Sequence, residues 1–197
     1  MDGILKTNYI IGIVLIVLFC SSCEEKVDPK EHFIKENFIN IVDTTAYKYG
    51  SFRPLPPKSN DTIIDVYNQF DLSIKLNDTI LFERFLEKEI DIFFNSNKEL
   101  KINFKNLINN ENYSDLILSS KFPSKIGRYN IFFKEIYQGK NIKYAGEVEI
   151  SNFKISNNNA FLVVTKSFQK SMISYIVLFM KVNNHWKIIK REPLLVS

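Results

Sequence analysis

Glu147 and Glu149 are the side chains whose type and spacing come nearest to acid–base chemistry. They lie two apart in a segment, Gly146 to Ile155, where Val148 and Ile150 alternate with them. Both carboxylates therefore fall on one side of a strand. Two carboxyl groups that close raise the proton affinity of one of them and can share acid and base roles. The same alternation on any half-exposed strand produces such pairs, and a pair without a cleft is only a charge pattern. His32 and His185 are the two histidines. Neither belongs to a zinc motif such as H-E-x-x-H, and a catalytic imidazole needs an orienting partner that the sequence does not supply. Tyr137 and Tyr144 could line an apolar pocket, although tyrosines of this kind are more often core or strand residues. The chain has no G-x-S-x-G elbow, no phosphate-binding glycine loop and no dinucleotide fingerprint, and its six glycines are too few to build most of them. No catalytic residue, metal ligand or cofactor is assigned from the sequence.

The two cysteines carry a different chemistry. The apolar run Tyr9–Phe19 is shorter than the roughly 20 residues of a membrane span and fits the roughly 7–15 of a signal-peptide core. Lys6 supplies a positive flank, weakened by Asp2, and Ser21 and Ser22 supply small residues before Cys23. The acidic pair Glu24-Glu25 follows. Ser22-Cys23 resembles the lipobox of bacterial lipoproteins, with Cys20 standing where that family usually has Leu. The resemblance implies cleavage between Ser22 and Cys23 and a diacylglyceryl group on Cys23. Residues 1–22 are then the signal peptide, 23–28 the lipidated cysteine and tether, and 29–197 one α+β domain. Cys20 would leave with the signal and Cys23 would be consumed by lipid. The domain then folds without a disulfide and has no cysteine for catalysis or zinc. Acyl chains contribute about 0.8 kcal/mol per buried CH₂, so two or three of them hold the protein on the membrane.

Glu24-Glu25 after the cysteine resembles the surface-export signal of Bacteroidota lipoproteins. This places the protein in the cell envelope, on the outer membrane, facing the periplasm or the outside. The same group O-glycosylates Asp-Ser/Thr followed by an apolar residue or Thr, a pattern met at Thr44, Thr62 and Thr79. The formal charge is +4. It implies no nucleic-acid partner, since the chain has no dense arginine patch and no binding motif. Abundant Ile, Lys, Asn and Phe reflect AT-rich codons, and the Asn runs read as polar turns.

The elements that must position these residues follow from periodicity. Asp28, Pro29 and Glu31 predict a capping box opening a helix whose apolar face is Phe33, Ile34, Phe38, Ile41, Val42 and Tyr49, stopped by Gly50. Ser51–Pro57 is an extended, proline-rich crossover. Ile63 to Phe70 suits a short helix. Leu72, Ile74 and Leu76 alternate as a strand before a turn at Asn77-Asp78. A second helix is expected from about Thr79 to Phe94, and a short one near Asp115 to Ser119. The C-terminal part predicts an antiparallel meander of about four strands. The candidate segments, five in all, are Arg128–Tyr137, Gly146–Ile155 with a bulge near Ser151-Asn152, Phe161–Val164, Ser171–Val182 and, after an Asn183-Asn184 turn, Trp186–Lys190. Pro193 ends the last pairing.

That closing hairpin, with Trp186-Lys187-Ile188 in its return strand, resembles the end of many small Bacteroidota lipoproteins and of NTF2-like domains. The resemblance covers the C-terminal third. It implies N-terminal helices packed on a curved antiparallel sheet and no particular activity. Three functional readings rank in order. The first is a non-catalytic interaction module binding an envelope protein or a secreted toxin. The second is a small-molecule carrier or sensor with an NTF2-like pocket. The third is an envelope hydrolase.

Overall fold

The computed structural model describes residues 28–42, 71–110, 115–133, 143–168 and 170–196. Helix α1 spans Pro29–Val42. Asp28 caps it as expected, its Oδ1 accepting the Lys30 N–H at 2.7 Å. Glu31 does not close the capping box. Its carboxylate turns to Ser119 instead, accepting from the backbone N–H at 3.1 Å and from Oγ at 2.6 Å. A buried carboxylate satisfied by two donors of a distant turn outweighs a local cap. The Tyr49 and Gly50 end of the expected helix, the proline-rich crossover and the Ile63–Phe70 helix lie outside the described residues.

Strand β1 is Leu72–Leu76, as the alternation predicts. The helix expected from Thr79 is instead a two-residue strand, β2 (Thr79–Ile80), followed by a 3₁₀ turn at Arg84–Leu86 and helix α2 at Glu87–Ser96. Asn77 Oδ1 accepts the Thr79 N–H at 3.1 Å, a local bond that competes with a helical start. Ile80 then pairs with Leu116 of β3 (Leu116–Ile117), so the expected Asp115–Ser119 helix is a strand as well. Between them lie α3 (Lys98–Asn103) and α4 (Lys105–Ile108), short helices in a stretch with no clear period.

The remaining strands are β4 (Lys125–Ile126), β5 (Tyr129–Phe132), β6 (Lys143–Ile155), β7 (Asn159–Phe168), β8 (Ser171–Val182) and β9 (His185–Val196). They join β1 in a seven-stranded sheet ordered β4-β5-β1-β6-β7-β8-β9. The antiparallel meander is β6 to β9. Of the segment expected as its first strand, Arg128–Tyr137, the described part forms β5 at Tyr129–Phe132 and lies outside the meander. β1 inserts between β5 and β6 and runs parallel to both. Asn183 and Asn184 both have positive φ, 51° and 62°, which makes the tight hairpin turn. Pro193 does not end pairing but stands opposite Tyr175 within β9. β9 is an edge strand with a register shift beside Tyr175, where a missing N–H is tolerated.

Helices cover both faces of the sheet. On one face α1 packs on Val148, Ile150, Leu162, Val164, Val177 and Phe179. On the other, α2 and its neighbours pack on Phe161, Val163, Ile176 and Leu178. Alternate residues of β7 and β8 thus feed two cores, which is why both strands read as nearly continuous apolar runs. The architecture is α+β with a large, mostly antiparallel sheet. No helix among the described residues is long and apolar enough to cross a membrane.

Candidate functional site

The second helical layer covers only part of its face. Beyond Val163 and Ile176 the same side of the sheet carries Lys75 on β1, Glu147 and Glu149 on β6, and Thr165 and Ser167 on β7. Register places these side by side: Lys75 stands opposite Glu147, Glu147 opposite Ser167, and Glu149 opposite Thr165. With Asn77, Phe133, Val148 and Met172 they line a groove of about 280 Å³.

The two glutamates do share a strand face, as their spacing predicts, but they have different partners. Lys75 Nζ lies 3.0 Å from Glu147 Oε1. Asn77 Nδ2 donates to Glu149 Oε1 at 3.5 Å, a long bond. A third carboxyl, Glu83, comes to Glu149 from the loop after β2. Asn152 fixes that loop by accepting the Glu83 N–H at 3.3 Å and donating to the Glu83 carbonyl at 3.2 Å. Asn152 sits at φ 49°, inside the register shift between Ser151 and Lys154, which is the bulge expected there. Burial pushes the Glu83 carboxyl above its ordinary value, and the neighbouring Glu149 carboxylate adds to the rise. Thr165 and Ser174 join hydroxyls at 2.8 Å on the groove floor.

A second bulge brings Tyr144 to this face. Ser73 pairs with Tyr144 but Ile74 pairs with Gly146, so Ala145 is the extra residue. Gly146 has φ 113°, and a Cβ there would lie 2.4 Å from the Ser167 carbonyl oxygen. In unbroken alternation Tyr144 would share the side of Gly146 and Val148 and face the opposite core. With the extra residue, the phenol approaches Glu147, and burial first and that carboxylate second raise its proton affinity. Beside it Ser73, 1% exposed, has an Oγ with no hydrogen-bond partner. The sequence signal for this bulge is Ala145-Gly146 breaking the alternation of β6. Glu83 and Lys75 carry no local signal, because they reach the site through long-range pairing.

The other sequence candidates are not assembled here. Cys23, Ser22, Thr44, Thr62 and Tyr137 lie outside the described residues. Thr79 is half-buried, its hydroxyl donating to Asp78 Oδ1 at 3.0 Å. His32 lies 3.2 Å from Glu36 on the exposed side of α1, and His185 is exposed in the closing hairpin. Among the described residues no three His, Cys, Asp or Glu side chains gather as a metal site.

A cleft of about 420 Å³ lies at the other end of the sheet, where α1 starts. Pro29, His32 and Glu36 form one wall, and Asn157, Lys181 and Trp186 another. Trp186 meets Phe33 edge-on at 5.0 Å. The chain matches no family model, no curated protein and no solved structure.

Proposed function

We propose that this chain is a lipid-anchored protein of the bacterial cell envelope, and that its domain is a non-catalytic interaction module. The anchor reading is supported by the apolar run ending in Ser22-Cys23. The module would bind another envelope protein or a secreted toxin through the sheet-face groove. The observation that carries this is the lining of the groove. The two strand-face carboxylates each have a polar neighbour, Lys75 at Glu147 and Asn77 at Glu149, and the one carboxyl that meets another, Glu83 against Glu149, comes from the loop after β2 and does not line the groove. An acid–base pair needs one carboxyl free to move a proton at a bound substrate. A shallow row of paired polar groups with Met172 exposed at its edge suits the mixed polar surface of a protein interface. The hydrolase reading ranks third; the raised proton affinity of Glu83 beside Glu149 is the observation on its side.

A photo-activated cross-linking residue placed at Ser167, in the native host, tests this reading, with the same residue at Lys98 of α3 as control. A protein captured from Ser167 and not from Lys98 supports the module. Capture of nothing from Ser167, while the protein remains folded and membrane-attached, removes it. The carrier reading remains second, favoured by the unpartnered Ser73 hydroxyl, which a polar small molecule could satisfy. An NTF2-like pocket belongs to that reading. Against it stands the packing of Phe33, Phe38 and Phe179 in the space between α1 and the sheet.

A further inference from the structure

We propose that the end of the molecule where α1 begins is seated on the lipid bilayer, with the Trp186 cleft in the headgroup layer. The inference rests on the anchor reading and adds an orientation to it. Only five peptide steps separate Cys23 from Asp28, the first described residue. Such a segment spans at most about 18 Å even when fully extended. The acyl chains on Cys23 would therefore hold the start of α1 within that distance of the membrane.

The surface at that end fits the contact. α1 starts between two turns, Asn157-Asn158 and Asn183-Asn184, whose residues line the same cleft as Pro29 and His32. Trp186 stands in this cleft half-buried, and Lys181 lies 5.6 Å from its ring centroid. An indole with one wet edge and a lysine on a long apolar stem are the side chains that settle where hydrocarbon meets headgroups. Val182 and Ile188 flank the turn, 37% and 36% exposed. Lys30, against the Phe153 ring at 5.9 Å, adds a second cation at the start of the helix.

The orientation has a consequence for the groove. β7 runs from Asn159 at the cleft end to Ser167 in the groove, about 26 Å along a strand. α1, parallel to it on the other face, runs the same way, from Pro29 to Val42, whose carbonyl accepts from Lys166. With the cleft on the membrane, the groove stands at the far end of the domain, presented to a soluble or opposing partner.

Trp186 is the single tryptophan of the chain, so its emission reports this surface alone. The lipidated protein, purified from membranes, is reconstituted in vesicles of phosphatidylethanolamine and phosphatidylglycerol, with and without bromine on the upper acyl chains. We expect loss of Trp186 emission in the brominated vesicles and shielding from a water-soluble quencher. A variant with about 20 Gly and Ser residues inserted between Lys26 and Val27 lengthens the tether. A seated domain keeps the bromine quenching in this variant, whereas a domain merely held nearby loses it. Lys181→Glu is expected to weaken the quenching while flotation with vesicles persists. Vesicle flotation with unquenched, water-accessible Trp186 overturns the seating and leaves the anchor standing. So does quenching that vanishes with the long tether. A protein that carries no lipid and does not float overturns both.

Discussion

Three cations that look like surface residues in the sequence donate to backbone carbonyls of distant segments in the fold. Lys166 is buried and donates to the Val42 carbonyl at 3.1 Å, and Arg191 donates to the carbonyls of Asn40 and Ile41 on the same turn, the last described turn of α1. Lys154 donates to Ile108 O at 3.3 Å and Asn110 O at 2.8 Å after α4. A buried amine is costly unless it is hydrogen-bonded, and a charge-assisted bond to a backbone carbonyl offsets that cost. Lys166→Met should therefore cost about 1.5–3 kcal/mol, read as a lower urea midpoint with an unchanged slope. An unchanged midpoint would show that the buried amine contributes nothing net. Gly146→Ala should also destabilise, by about 1–3 kcal/mol, because the new methyl meets the Ser167 carbonyl and the backbone has positive φ. Glu83 makes stability depend on pH. Its carboxyl binds a proton more tightly folded than unfolded, so its stabilising contribution is complete below the ordinary value of 4.5 and is lost as pH rises through the raised value. Asp71 acts oppositely and elsewhere: held down by Lys125, its contribution is present above 3.8 and lost below. Urea midpoints should thus rise as pH falls from neutral toward 4.5, and Glu83→Gln should flatten that rise. Apart from the break in alternation at Gly146, these roles were not legible in the sequence, since each joins residues from distant segments.

At the scale of elements, the sequence showed what local physics decides. Asp28-Pro29 opens α1, Asn183-Asn184 makes the last turn, and the break in alternation after Ile150 marks a bulge. The failures have one cause, which is pairing between distant segments. Leu81, Phe85 and Phe94 fall at helical spacing, yet Ile80 is drawn into a strand by Leu116 and the helix starts only at Glu87. Phe85 shows the error directly, since it is 66% exposed although the pattern placed it in the core. β1 alternates legibly, but no local signal says that it inserts in parallel between β5 and β6. Half of the candidate groove was legible, as the shared face of Glu147 and Glu149. The half contributed by β1 and the Glu83 loop was not. The contrast between two phenylalanines checks this account. Phe94 touches Phe93, Phe104 and Phe161 and is 1% exposed, so Phe94→Ala should cost about 3–5 kcal/mol. Phe85→Ala should change stability by no more than about 0.5 kcal/mol. Equal losses at the two positions would mean that the helical layer is placed wrongly.

For the whole molecule, the decisive feature is that two cores share the same strands. In β7, Leu162 and Val164 face α1 while Phe161 and Val163 face α2; in β8, Val177 and Phe179 oppose Ile176 and Leu178 in the same way. Neither helical layer can leave without exposing one face of strands that the other layer still needs. Losing α2 to α4 would open the Phe161 side to water and loosen the ladder that also carries the α1 side. The two layers should therefore unfold together, in one transition. Two probes can separate them if they are independent. Trp186, packed on Phe33, reports the α1 side, and the far-ultraviolet helical signal draws on α2, α3 and α4 as well. We expect coincident urea curves from both probes in the native chain, and still coincident curves in Phe94→Ala, displaced together to lower urea. If Phe94→Ala instead splits them, with helical signal lost before the Trp186 environment changes, the second layer is an independent cover. The sheet would then hold together on α1 alone. Coincidence would tie the groove, bordered by that second layer, to the stability of the end that carries α1. A partner bound at one end would then stabilise the fold at the other.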